Sequence, residues 1–145
     1  MNTHDFSDPR AEALLTKASQ SAGFNAWCGF KLVAAGAGQV VLEADVRPDM
    51  TQHHGFVHGG VVGALSDTAC SWAAATVAGD VVTASYTIQF HAPATGQRLR
   101  VHATVIEQGK RNVSVEAKAF SIDLEQKSKL VATTLALIAV IAAEK

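Results

Sequence analysis

An amide, three histidines, a pair of glycines and a carboxylate fall close together in one stretch of this chain. The stretch reads Gln52-His53-His54-Gly55-Phe56-Val57-His58-Gly59-Gly60, and the acid, Asp67, follows seven residues after Gly60. Asp67 carries the only formal charge between His58 and Gly79, in a run of small and apolar residues. Burying a carboxylate without a partner is costly. An acid in that setting is therefore either a hydrogen-bonded structural group or a group poised for proton transfer. Gly59 and Gly60 would let a ligand approach backbone N–H groups closely. At the start of a helix those groups present the positive end of the helix dipole to a developing oxyanion.

Other chemistries fit less well. His53, His54 and His58 have no Cys or acid nearby at ligand spacing, so no metal site is expected. Ser66 and Ser71 lie in no Gly-x-Ser-x-Gly elbow, which disfavours a serine hydrolase. Cys70 has no candidate base beside it in sequence and reads as inert. His58 suits a hydrogen-bonding role in the loop better than acid–base work. Trp27, Trp72 and Phe56 read as core or interface residues.

The elements that must position these residues follow from periodicity. Asp8-Pro9 reads as a cap and first helical position, with a short helix through Ala22 that stops at Gly23. Cys28 to Ala35 is strand-like, Gly36-Ala37-Gly38 is a turn, and a two-residue period from Val40 to Val46 ends at Pro48. Gly60 to Val77 is apolar or small on most faces, which predicts a wholly buried helix closed by Gly79. Ala84, Tyr86, Ile88 and Phe90 then alternate with Thr83, Ser85, Thr87 and Gln89. Further strands are expected over Leu99–Val105, Val113–Ala119 and Leu130–Ile141, with a hairpin at Gly109-Lys110. The order is β-β-α-β-β-β-β after a leading helix. Short turns favour an antiparallel sheet, and one buried helix on its face makes an α+β domain.

Composition agrees with one domain. The chain has 145 residues, is 48% hydrophobic and 17% charged, and carries a formal charge of −1. That balance argues against disorder and gives no basic excess for nucleic acid. The two cysteines are too few for a disulfide framework and read as buried thiols in a reducing cell. Met1 to Arg10 lacks the basic-then-apolar run of a secretion signal, and the apolar run from Leu130 to Ala143 is shorter than the roughly 20 residues of a spanning helix. These features predict a soluble, cytoplasmic protein with no membrane partner.

With these elements in place, the chain resembles the hotdog-fold acyl-CoA thioesterases, most closely the PaaI-like group. The resemblance runs from Cys28 to Ile141. It rests on Gly55-Phe56-Val57-His58-Gly59-Gly60, Leu65-Ser66-Asp67-Thr68-Ala69, Phe90-His91-Ala92-Pro93-Ala94-x-Gly96 and Gly109-Lys110-Arg111. It implies an antiparallel sheet wrapped around one long central helix, with residues 1–27 as a leading helix and 28–145 as the hotdog domain. It also implies hydrolysis of a coenzyme A thioester without a cofactor. Asp67 would be general base or nucleophile, and the Gly59 N–H would bind the thioester oxygen. Thr83 would help hold the attacking water, with Ser85 its neighbour on the same face. Lys110 and Arg111 would meet phosphate, with Arg98 and Arg100 on the adjoining strand. Gln52 stands where the family usually has Asn six residues before the motif histidine, so its amide is the candidate carbonyl or water positioner. Gly60 and His58 would complete the site, and the active unit would be a homodimer that pairs into a homotetramer.

Geometry adds a constraint of its own. Gly59 and Asp67 are eight residues apart, about 12 Å along one helix at about 1.5 Å per residue. An oxyanion donor and a base must each come within about 3 Å of the reacting group. If both residues are catalytic, the site needs two chains. Two other functions use the same fold. A hydratase or dehydratase could pair His58 with Asp67, but the Asp followed shortly by Asn-Pro-Leu-His that marks such enzymes is absent. A non-catalytic acyl-CoA sensor would have no need of Asp67.

Overall fold

The computed structural model describes residues 5–21 and 23–141. In chain order these form α1 (Pro9–Ser21), α2 (Gly23–Cys28), β1 (Lys31–Gly36), β2 (Gln39–Asp45), a 3-10 turn (Pro48–Met50), α3 (Gly59–Ala78), β3 (Val81–Phe90), β4 (Arg98–Gln108), β5 (Asn112–Ile122) and β6 (Ser128–Val140). The six strands make one antiparallel sheet in the order β1-β2-β4-β5-β6-β3. The sheet curls around α3, which packs against all six strands. This is the hotdog arrangement that the resemblance implies.

Local chemistry explains the boundaries. The Asp8 carboxylate accepts the Arg10 N–H at 2.9 Å and its carbonyl accepts the Glu12 N–H, so Asp8 caps α1 with Pro9 as first residue. Ala37 and Gly38 take φ of 52° and 79°, the left-handed pair that a tight β1–β2 hairpin requires. Gly79, at φ 81°, closes α3 through its N–H to the Ala75 carbonyl. Leu42, Leu65, Leu99 and Ile138 are fully buried between helix and sheet, each contributing roughly 1.5–3 kcal/mol. Leu15 of α1 reaches the same core, so the leading helix belongs to the domain.

Three expectations need correction. The strand expected from Cys28 begins at Lys31, because Gly23–Cys28 forms the short helix α2, ending on buried Cys28 and a left-handed Gly29. Trp27 on α2 is exposed, with the Arg47 guanidinium over its ring at 5.1 Å, which leaves the interface half of the core-or-interface reading open. The expected helix end at Ala22 lies outside the described residues. Secondly, α3 is not wholly buried. Val62, Leu65, Ala69, Cys70 and Ala73 face the sheet, while Asp67, Ser71, Trp72 and Ala75 stay half-buried because the sheet closes on one side only.

The third correction concerns β3. Thr83 pairs with Ile138 and Ser85 with Leu137, so Ala84 is an extra residue in a bulge. Residues directly opposite in an antiparallel pair share a face. Thr83 therefore looks toward α3 with buried Ile138, and Ser85 looks outward with Leu137. After the bulge Tyr86, Ile88 and Phe90 face inward, opposite buried Ala136, Thr134 and Ala132. The two-residue alternation is thus broken at the point where it meets the site.

Gly96 tests the packing around this frame. A Cβ there would lie 2.4 Å from the Ile122 carbonyl oxygen, whereas one at Gly23 meets nothing within 4 Å. Gly96→Ala should lower stability by about 1–3 kcal/mol or more. Gly23→Ala, at the first position of α2, should change it by less than about 1 kcal/mol. Denaturant unfolding of the two variants measures both.

Candidate active site

Asp67 sits on the half-buried side of α3, and Thr83 reaches it from β3. The Thr83 hydroxyl donates to Asp67 Oδ1 at 2.6 Å. That contact depends on the Ala84 bulge, which turns Thr83 inward. Among the described residues nothing donates to Asp67 Oδ2, so one carboxylate oxygen is oriented and the other is open. Burial, with the Asp67 charge as second cause, pushes the pKa of the neighbouring Cys70 thiol up to about 12. Cys70 is thus a thiol held in its unreactive form.

The start of α3 gathers a second group of candidate residues. His58 is the cap, its Nδ1 accepting the Gly60 N–H at 2.8 Å. That role occupies the Nδ1 lone pair and makes His58 a structural residue. It also consumes the Gly60 N–H, so Gly60 is not the substrate donor that the sequence suggests. The Gly59 N–H has no acceptor among the described residues. Gly59 lines a cavity of about 410 Å³ together with Gln52, Phe56, Phe90 and His91. Gln52 Oε1 accepts the His54 N–H at 2.5 Å within the tight 51–57 turn, which leaves its amide N–H₂ as the free end. A free backbone donor, an amide donor and a helix dipole thus meet at one cavity, a combination suited to an oxyanion.

The glycines of α3 have a packing role as well. A Cβ at Gly59 would stand 3.2 Å from the Phe90 ring, and one at Gly63 would stand 3.4 Å from the Tyr86 hydroxyl. Phe90, Tyr86 and Thr83 of β3 thus stand over Gly59, Gly63 and Asp67 in turn. Phe90 and His91 are cavity walls that sequence reasoning misses. Phe90 follows the strand alternation, which marks a face of the strand and not a cavity wall.

Other candidate residues lie elsewhere. Ser85 is on the outer face, away from Asp67. Lys110 and Arg111 occupy the exposed β4–β5 hairpin tip, near the end of α3, where Gln108 Nε2 donates to the Val77 carbonyl. Arg98 and Arg100 do not extend that tip. They flank Glu43 in ion pairs of 3.6 and 2.6 Å, and Arg98 is ten residues back along β4 from Gln108, about 30 Å at about 3.3 Å per residue. His53 and His54 are exposed, and among the described residues no three His, Cys, Asp or Glu side chains gather as a metal site.

The fold is that of the hotdog thioesterases, and comparison with known proteins agrees. The thioesterase superfamily profile matches residues 54–127. This chain belongs to the thioesterase superfamily, a family of thioester hydrolases, and is PaaI-like within it. A thioesterase family protein from Silicibacter pomeroyi superposes with a TM-score of 0.87 at 24% identity, covering 92% of this chain and 99% of that one. The PaaI protein of the E. coli phenylacetic acid degradation operon gives 0.81 at 23%, with 92% and 95% covered. A variant of the phenylacetic acid degradation protein PaaI from Thermus thermophilus gives 0.75 at 26%, with 83% and 100% covered. A search of curated proteins returned no match.

The cap assignment for His58 makes a distinct prediction. His58→Ala should destabilise the fold by about 1 kcal/mol, and His58→Asn, which restores a side-chain acceptor, should recover most of that. The pH dependence of turnover should be the same in the Asn variant as in the unaltered protein. Thermal unfolding and a pH–rate profile of the three proteins supply the comparison.

Proposed function

We propose that this protein is an acyl-CoA thioesterase whose active unit is a homodimer. In each site Asp67 of one chain acts as general base, and the Gly59 N–H of the other chain holds the oxyanion. The observation that carries this reading is the state of the two groups. Among the described residues Asp67 has one oxygen fixed by Thr83 and one without a donor, while the Gly59 N–H is without an acceptor at a cavity eight residues away on the same helix. Asp67 takes a proton from water as the water attacks the thioester carbonyl. The carbonyl oxygen, now negative, is stabilised by Gly59, with Gln52 as second donor. Collapse of the intermediate breaks the C–S bond, and the proton passes from Asp67 to the departing thiolate. The products are a carboxylic acid and free coenzyme A.

Features of the single chain support the dimer. β3 is an edge strand of ten residues with no strand on its outer side among the described residues, and Val82 and Phe90 are 54% and 53% exposed. A long apolar edge is a template for another chain. Pairing β3 with its own copy about a two-fold axis would set two α3 helices antiparallel and bring Gly59 opposite Asp67. Exposed Leu135 and Leu137 on the outer face supply a surface on which two dimers would form a tetramer. Lys110 and Arg111, neither of them in an ion pair among the described residues, are the proposed contacts for the phosphates. Two buried free cysteines accord with a reducing, cytoplasmic setting.

Release of free thiol from acyl-CoA tests the assignment. Asp67→Asn should keep the fold and lower kcat by about 10² to 10⁴. Gly59 allows a matched pair. Gly59→Ala adds a Cβ against Phe90 but keeps the N–H. Gly59→Pro adds the same carbon and removes the N–H, at a first helical position where proline is tolerated and after a residue, His58, already at φ −58° and ψ 133°. The proline variant should lose about 10² to 10³ in kcat relative to the alanine variant. Equal activity in that pair would overturn the role of the Gly59 N–H, and near-normal turnover by Asp67→Asn would overturn Asp67 as base.

A further inference from the structure

We propose that the groove between α1 and the second half of α3 holds the alkyl chain of the substrate's acyl group, making α1 the element that sets chain-length preference. The inference rests on the thioesterase reading and extends it to a substrate class. The groove has a volume of about 670 Å³, within the range of about 300–1,000 Å³ typical of small-molecule sites. One wall is α1, with Ala11, Leu14 and Leu15, and the other is α3, with Trp72 and Ala75.

Position ties the groove to the chemistry. It begins at Ser71, one helical turn after Asp67, and its β3 wall is Val81, two residues before the Thr83 that holds Asp67. From Ser71 to Asp80 the chain advances nine residues. The seven helical steps from Ser71 to Ala78 alone give about 10 Å at about 1.5 Å per residue, room for a medium-length alkyl chain rather than an acetyl group.

The lining excludes the other parts of the substrate. The pantetheine arm carries amides that need hydrogen-bond partners once buried. The Thr76 hydroxyl is already spent, donating to the Ala73 carbonyl and accepting the Gly38 N–H. The nucleotide phosphates would meet the carboxylates of Asp8 and Asp80 against one guanidinium, Arg10. Ala11, Leu14, Leu15, Trp72 and Ala75 make the body of the groove apolar, and an uncharged alkyl chain is the part of an acyl-CoA that such walls suit best.

Leu14 makes the test clean, because it is 71% exposed and its replacement leaves the core intact. Leu14→Asp should lower kcat/KM for decanoyl-CoA relative to acetyl-CoA about tenfold. Ala75→Trp, which fills the groove from the α3 side, should do the same. Leu124→Asp, on the β5–β6 turn and 80% exposed, should leave the ratio unchanged. Binding is read separately by calorimetry with S-decyl-CoA, a thioether that cannot be hydrolysed. Leu14→Asp should weaken S-decyl-CoA about tenfold and leave free coenzyme A unaffected. An unchanged ratio and unchanged S-decyl-CoA binding in both groove variants would overturn the groove while the hydrolase reading stands. Tight, Leu14-dependent S-decyl-CoA binding without turnover of any thioester would overturn the hydrolase reading and leave the groove.

Discussion

A helix is a rigid rod, and Gly59 and Asp67 are eight residues apart on the same one. About 12 Å of rise separates them, four times the reach of a hydrogen bond. An anion-stabilising N–H and a base cannot both touch one carbonyl from those positions. The other features of the molecule accord with that separation. The sheet closes around one side of α3 and leaves Asp67 half-buried on the open side. The outer edge of β3 beside it has no partner strand among the described residues. On the proposed mechanism, the Asp67 group and the Gly59 group become two complete sites only when the helix is set against an antiparallel copy of itself.

Close approach of β3 to α3 is what makes the open side usable. Gly59 and Gly63 give up their side chains so that Phe90 and Tyr86 can lie over the helix. The bulge at Ala84 then re-aims the strand so that Thr83 meets Asp67. Bulges near active sites commonly serve to redirect a side chain in this way. The residue count matters more than residue size at this point. An unbulged strand would point Ser85 or Thr83 outward according to register, and the carboxylate would lose its only hydrogen-bond donor among the described residues.

Much of this is legible in the sequence. The run of small and apolar residues from Gly60 to Val77 reads as a helix, and its lone carboxylate stands out against small neighbours. Alternation locates β2, β4 and β5, and the Pro93 and Gly96 break falls where the chain leaves β3. Other features are hidden for physical reasons. The alternation Thr83-Ser85-Thr87 runs through the bulge without a glycine to mark it, so periodicity puts Ser85 on the wrong face. The six residues of α2 are too few for a helical period to show. Alternation places Phe90 on one face of β3, but a strand pattern cannot tell a packed aromatic from one that walls a cavity. The capping role of His58 consumes the Gly60 N–H, a contact between neighbours that spacing alone does not reveal.

Subunit complementation tests the shared site most directly. A chain carrying Asp67→Asn and a chain carrying Gly59→Pro are unfolded together, refolded, and the heterodimer fraction is measured by mass. In a heterodimer with sites shared across the interface, one site carries both lesions and the other carries neither. Random pairing makes about half of the dimers mixed, so about a quarter of all sites are intact. The account predicts recovery of about a quarter of the unaltered activity from two parents that are each nearly inactive. Mixed dimers confirmed by mass that recover no activity would contradict it.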